Sequence, residues 1–231
     1  MLIKTKAIVL KAIKYGDSSL IVNVFTEAIG LRTYIVNGVR KPKSTMPSAI
    51  FQVGNAINLI AYEKNDAKLQ RIKEVSLDLV YQNIPFDIRK GASAMLIMEI
   101  VGKCVQEVEP NERLFRFLYE ILAFLDETTS SIHNFHLFFM LHFCAFLGFS
   151  PNGRFFESAV FDLKEGNFIA PSNFSNTAIN TAQSNFLFLL LQSTLLDFHK
   201  IQRSRTERDE LFLSLELFYM QHVENLRPFE S

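Results

Sequence analysis

YGDSSLIVNVFTEAIGLRTYIVNGVRKPKS, residues 15–44, is the stretch whose reading decides the fold. LIVNVF at 20–25 and LRTYIV at 31–36 are short and rich in β-branched and aromatic residues, with Gly30 between them, so both read as strands. Asn37-Gly38 stops the second one. Arg40-Lys41-Pro42-Lys43 follows as a loop that Pro42 keeps extended.

Working outward, residues 7–10 are apolar and read as an earlier strand. Residues 49–62 (AIFQVGNAINLIAY) contain Gly54 and read as two strand pieces or one bulged strand, and 69–79 reads as the last strand. Turn residues separate these runs at Tyr15-Gly16-Asp17, Ile29-Gly30 and Lys64-Asn65-Asp66. About five short strands at this spacing suit a small closed barrel, most often the five-stranded OB-fold.

From Pro85 the apolar spacing becomes helical. Helices are expected over 88–108, over 112–126 behind an Asn111 cap, and over 132–147 with Gly148 at the end. Residues 150–175 are irregular, with a small hairpin at 158–163 and 167–170. Helices then follow over 177–198 and from Thr206 to about 224, where Thr206 and Asp209 have capping-box spacing. The fold class is α+β: an OB-fold barrel in residues 1–82, then an α-helical bundle in 83–231 with the hairpin inserted at about 150–175.

Formal net charge is zero, but its distribution is uneven: residues 1–80 carry twelve basic and six acidic side chains, and the acids dominate afterwards. A basic front half suggests a polyanionic partner. Cys104 and Cys144, the only cysteines, lie in apolar helical patterns without zinc-ligand or disulfide-framework spacing, which fits a reducing compartment. Residues 1–6 hold no secretory apolar region. The most apolar runs, 135–149 and 186–198, fall short of the ~20 residues that span a bilayer, so a cytoplasmic chain away from membranes is expected.

Nothing in the sequence points to an enzyme. Walker, dinucleotide, nucleophile-elbow and H-E-x-x-H motifs are absent. His133 and His136 are three apart at a helix start, but no carboxylate or cysteine joins them, so they read as partly exposed helix-start histidines and not as metal ligands. Paired acids such as Asp126-Glu127 and Asp209-Glu210 read as solvated faces.

The cations say more. Arg40, Lys41 and Lys43 cluster within four residues, and Arg32 and Tyr34 share one face of the preceding strand. Lys4 and Lys6 share a face of the first strand, and Lys11, Lys14 and Tyr15 read as the loop after it. Cations beside aromatic rings are the equipment of a single-strand groove. Phe25, Phe51 and Tyr62 read as core.

The succession of residues 15–27, Gly30 and 37–44 resembles the N-terminal signature of the RecO family of bacterial DNA repair proteins. Met98-Glu99-Ile100, Glu109-Pro110, Leu114-Phe115, Phe139-Met140-Leu141 and Leu147-Gly148-Phe149-Ser150-Pro151 resemble its helical part in the same order. The resemblance implies an OB-fold that binds single- and double-stranded DNA and anneals complementary strands. It implies a mediator that, with RecR and in some lineages RecF, loads RecA onto DNA coated by single-strand-binding protein, without catalysis or cofactor, in the cytoplasm at the nucleoid. Carried across, Arg40, Lys41 and Lys43 match the family's basic loop and Arg32 a commonly basic strand position; Lys4, Lys14, Tyr15 and Tyr34 complete the expected DNA contacts.

Two departures stand out. Many relatives carry four zinc-binding cysteines after the L-G-[FY]-x-P motif, whereas residues 152–170 here hold none, so no zinc is expected. Where some relatives place an Arg that helps bind the tail of single-strand-binding protein, this chain reads His133-Asn134-Phe135-His136-Leu137. The alternative to DNA binding is an OB-fold that docks another protein, with the basic loop incidental.

Overall fold

The computed structural model describes residues 1–39, 46–63, 69–105, 109–173 and 175–230. Contacts divide the chain into two compact units, Met1–Thr128 and Thr129–Ser231. The change from strand to helix near residue 82 therefore falls inside the first unit, which keeps two helices of its own.

In the first unit β1 (Leu2–Tyr15), β2 (Ser19–Thr26), β3 (Gly30–Val36), β4 (Ala56–Tyr62) and β5 (Gln70–Leu77) close a barrel in the order β1-β2-β3-β5-β4. Only β3–β5 is parallel; the remaining pairs are antiparallel, the order of an OB-fold. β1 is longer than residues 7–10 because its first half pairs with β4 and its second half with β2, with a register shift between Val9 and Lys11. Lys11, Lys14 and Tyr15 are thus strand residues, not loop. Ala7, Val9, Val22, Tyr34, Leu59 and Ile72 point inward and fill the barrel.

Residues 49–52 are not a strand. Ser48–Phe51 is a 3-10 turn whose Phe51 is buried in the barrel core, held by the Asn55 amide donating to the carbonyls of Ala49 and Ile50 at 3.1 and 3.0 Å. Gly54 then turns at φ +89°, a backbone state that favours glycine, and its carbonyl accepts from the Tyr81 hydroxyl at 2.8 Å.

α1 (Ile88–Cys104) starts where Asp87 accepts from the N–H groups of Arg89 and Lys90, and α2 (Glu112–Glu127) starts at Asn111, which accepts from Leu114. Two carboxylates fasten this unit. Asp78 meets Lys6 at 2.9 Å, the Tyr119 hydroxyl at 2.8 Å and the Asn58 amide at 3.0 Å, joining α2 to the barrel wall. Burial alone would raise its pKa, but these three partners hold it below the usual carboxylate range. Asp126, near the end of α2, accepts from the backbone N–H groups of Gln82, Asn83 and Ile84 at 2.8 Å each. The buried Lys90 ammonium donates to the carbonyls of Asp126 and Thr128, closing the C-terminus of α2.

In the second unit α3 (Phe135–Leu147) is apolar on nearly every side and ends at Gly148 with φ +83°. A hairpin of β6 (Val160–Asp162) and β7 (Asn167–Ile169) follows, then α4 (Thr181–Gln192), a 3-10 turn at Phe198–Lys200 and α5 (Arg205–His222). α4 is shorter than the 177–198 pattern. It begins after Asn180, whose side chain accepts from Gln183, and ends where Ser193 turns extended. α5 begins one residue before Thr206, because Ser204 and Glu207, not Thr206 and Asp209, make the reciprocal capping box. Phe149, Phe161, Phe168 and Phe218 pack edge to face at its centre.

Candidate nucleic-acid interface

Strand periodicity sorts the first unit's aromatic and basic residues into two sets. Along β2 and β3 the inward residues Leu20, Val22, Tyr34 and Val36 alternate with Ile21 and Ile35, and along β1 the inward Ala12 precedes Ile13. Registers align the outward residues across four neighbouring strands and onto a fifth: Ile13 faces Ile21, Ile21 faces Ile35, Ile35 faces Arg71, and Arg71 faces Tyr62. The result is an outward belt running across the barrel strands. Ile13 is 47% and Tyr62 49% exposed, and Arg71 is exposed between them. Lys11 lies one outward position before Ile13, and Tyr15, 53% exposed, one after it; Lys14, paired with the inward Leu20, is on the other face of β1 and is exposed near its end.

Ser19 donates to the Asn37 side chain at 3.0 Å. The chain therefore enters the basic loop beside the β1–β2 turn, next to Tyr15. Arg40, Lys41 and Lys43 themselves lie outside the described residues.

Tyr34 is not available to stack on a base. It does share a face with Arg32, but that face is the barrel interior: Tyr34 is fully buried, and its hydroxyl donates to Glu63 at 2.7 Å. Burial, reinforced by the Glu63 carboxylate, pushes its pKa well up. Arg32 occupies the barrel end beside the same carboxylate, 3.6 Å from Glu63 and with its side chain 24% exposed. Lys4 is exposed on the outer face, but ten strand residues, about 33 Å of extended chain, separate it from Lys14. Lys6 is engaged by Asp78 and lies over the Tyr119 ring. Of the expected contacts among the described residues, Lys4 and Lys14 lie towards opposite ends of β1, and Tyr34 is closed off from solvent.

Sequence reading missed Arg71 and Tyr62. Phe25 and Phe51 are indeed buried, whereas Tyr62 sits on the surface. The signal was present: Tyr62 follows the inward Ala61, and Arg71 precedes the inward Ile72. The β4–β5 pairing makes them neighbours, and the β3–β5 pairing joins them to Ile35.

The second unit carries the two departures. Asp162, 3% exposed, organises the cysteine-free hairpin. It accepts from the N–H groups of Lys164 and Glu165 at 2.8 and 3.1 Å, from the Thr177 hydroxyl at 2.9 Å and from the Ser175 hydroxyl. Desolvation alone would raise its pKa; Ser175 and the other donors bring it below the usual carboxylate range. One anionic side chain thus ties the turn to the segment that follows β7. Among the described residues, no three His, Cys, Asp or Glu side chains gather as a metal site would require.

At the start of α3, Asn134 donates to the carbonyls of Phe198 and Ile201 at 3.3 and 2.8 Å, which docks the 3-10 turn. His133 is exposed, 2.9 Å from the Ser131 hydroxyl. His136 packs on Phe212, and its burial, with Arg208 nearby, pulls its pKa down to about 4, so it is neutral near pH 7. Among the described residues no helix is long and apolar enough to cross a membrane.

Comparison with known proteins agrees with this architecture. The family model described as Recombination protein O N terminal matches residues 1–79, and that described as Recombination protein O C terminal matches residues 85–229. The chain is 33% identical over 234 residues to the DNA repair protein RecO of Christiangramia forsetii, and 34% identical over 232 residues to that of Flavobacterium johnsoniae; both alignments take in 100% of this chain and 96% of the relative. It is 30% identical over 225 residues to the DNA repair protein RecO of Bacteroides fragilis, across 96% of this chain and 93% of the relative. With both halves matched, the chain belongs to the RecO family of DNA repair proteins.

Proposed function

We propose that this chain is a non-catalytic mediator of recombinational repair that binds single- and double-stranded DNA through its barrel and anneals complementary strands. With RecR, and with RecF where the lineage has it, it helps load RecA onto DNA coated by single-strand-binding protein, working in the cytoplasm at the nucleoid. The observation that carries this reading is the outward belt Ile13–Ile21–Ile35–Arg71–Tyr62, flanked by Lys11, Lys14 and Tyr15. Tyr15 and Tyr62 offer ring faces to bases, the isoleucines an apolar floor, and the cations reach phosphates. Arg40, Lys41 and Lys43, which lie outside the described residues, are proposed as further phosphate contacts. Contacts of this kind are directed at phosphate and ring face, so binding is independent of sequence.

Neutralising phosphates on two strands at once lowers their repulsion and lets complementary bases meet. The residues that do this need to bind, not to transfer protons, which accords with a mediator without an active site.

The belt's aliphatic centre favours one second reading, a barrel that docks another protein. Fluorescence anisotropy with a labelled oligonucleotide, together with an annealing assay, separates the two. The DNA-binding reading expects tight binding at low salt that falls steeply as salt rises. It expects the Arg40→Ala/Lys41→Ala/Lys43→Ala variant to weaken binding on every sequence alike. A wild-type chain that leaves the oligonucleotide free at low salt, or a triple variant that binds and anneals like wild type, overturns the assignment of these residues.

A further inference from the structure

α5 has two apolar faces. Leu211, Leu215, Phe218 and Tyr219 are buried in the second unit. On the opposite side Leu213, Leu217 and Met220 stand 58%, 51% and 38% exposed. Their i, i+4, i+7 spacing puts them in one line about 10 Å long. A helix on a protein surface ordinarily keeps that side polar, and one that is apolar all round is ordinarily covered all round.

The surrounding charge is one-sided. Residues 209–224 contain Asp209, Glu210, Glu216 and Glu224, with no Lys or Arg. At 100° per residue, Asp209 and Glu210 fall on the same side of the helix as the exposed line, with Glu216 at its margin; Glu224 follows the helix end at His222. Asp209 is shared with Arg205 at 3.5 Å, while Glu210 accepts from the neutral Gln183 amide at 3.4 Å and Glu216 from the Phe229 N–H at 2.7 Å, so Glu210 and Glu216 leave the face with a net negative rim.

We propose that this face of α5 is a docking surface for a cationic amphipathic helix of a partner protein. The partner's apolar side would cover Leu213, Leu217 and Met220, and its Lys or Arg residues would meet Glu210 and Glu216. A second copy of the chain is a poorer occupant, because the same acids would oppose one another across the interface. DNA and anionic lipid are repelled for the same reason. The proposal concerns residues of the second unit and stands whether or not the belt of the first binds DNA.

The test uses the full chain and two labelled peptides about two heptads long, one of leucine and lysine, the other of leucine and glutamate on the same pattern. Anisotropy is expected to show binding of the cationic peptide, about tenfold weaker for Leu213→Gln/Leu217→Gln. The Glu210→Lys/Glu216→Lys variant, which keeps the apolar line, is expected to lose the cationic peptide and gain the anionic one. The proposal is overturned if the wild-type chain binds neither peptide, binds both equally, or binds the cationic one no better than the leucine variant does. It is equally overturned if sedimentation shows a wild-type dimer that the leucine variant abolishes, since the occupant would then be a second copy.

Discussion

The Asp126 carboxylate accepts the backbone N–H of Ile84 at 2.8 Å, bridging forty-two positions of sequence. With the matching bonds from Gln82 and Asn83, it fixes the segment between β5 and α1 as a cap treats a helix start, although no helix begins there. Replacing it by Ala leaves three N–H groups to find other partners. Asp126→Ala is expected to lower the unfolding free energy by about 3 kcal/mol in urea titration, and Asp126→Asn by less, since one acceptor oxygen remains.

The same carboxylate predicts a pH effect. Burial would raise its pKa, but the three N–H groups and Lys90 hold it below the usual value near 3.8. Its contribution is therefore complete above pH 3.8 and is lost as pH falls through the lower folded value. His136 acts over a higher window. Its folded pKa of about 4 lies below the ordinary 6.5, so the unfolded chain binds its proton first, and stability declines as pH drops from 6.5 towards 4. His136→Phe is expected to remove a stability change of about 3 kcal/mol across that interval, read from urea midpoints at a series of pH values.

Tyrosines in this barrel should separate by location. Tyr34→Phe deletes the hydrogen bond to Glu63 and is expected to cost about 1 kcal/mol of stability with DNA affinity unchanged. Tyr62→Ala and Tyr15→Ala should instead leave stability nearly intact and weaken single-strand binding by about 1 kcal/mol or more each. Equal losses of affinity from Tyr34→Phe and Tyr62→Ala would remove the belt from consideration.

Salt dependence gives an independent measure. Each phosphate contact on a single strand contributes about 0.7 to the slope of log affinity against log salt. A Lys11→Ala/Lys14→Ala/Arg71→Ala variant is expected to reduce that slope by about 2, while Lys4→Ala leaves it unchanged.

Much of the fold was legible because turn chemistry and alternation are local. Gly30 and Asn37-Gly38 bound β3, Asn111 caps α2, and Gly148 ends α3 in the left-handed conformation that its position needs. The errors arose where a long-range partner decides. Residues 49–52 look like strand, but Asn55 folds them into a turn that lets Phe51 enter the core. Arg32 and Tyr34 look like a binding pair, and it takes Glu63, some thirty positions on, to show that they face inward. Asp162 carries no local signal of its role, which comes from Ser175 and Thr177 brought to it by the fold. Arg71 and Tyr62 join Ile35 only through the β3–β5 closure, a pairing that local sequence does not encode.

That closure has its own corollary. Among the described residues, β3 and β5 meet through two registered pairs, Tyr34 with Gln70 and Ile35 with Arg71, the narrowest join in the barrel. Arg71 is both part of the join and the cation of the exposed row, between Ile35 and Tyr62. A polymer laid over that row spans the join from outside, like a stitch over a hem, so occupancy and cohesion reinforce each other. Amide protons of β3 and β5 should then exchange more slowly with a bound oligonucleotide than without it, and the melting temperature should climb with ligand concentration.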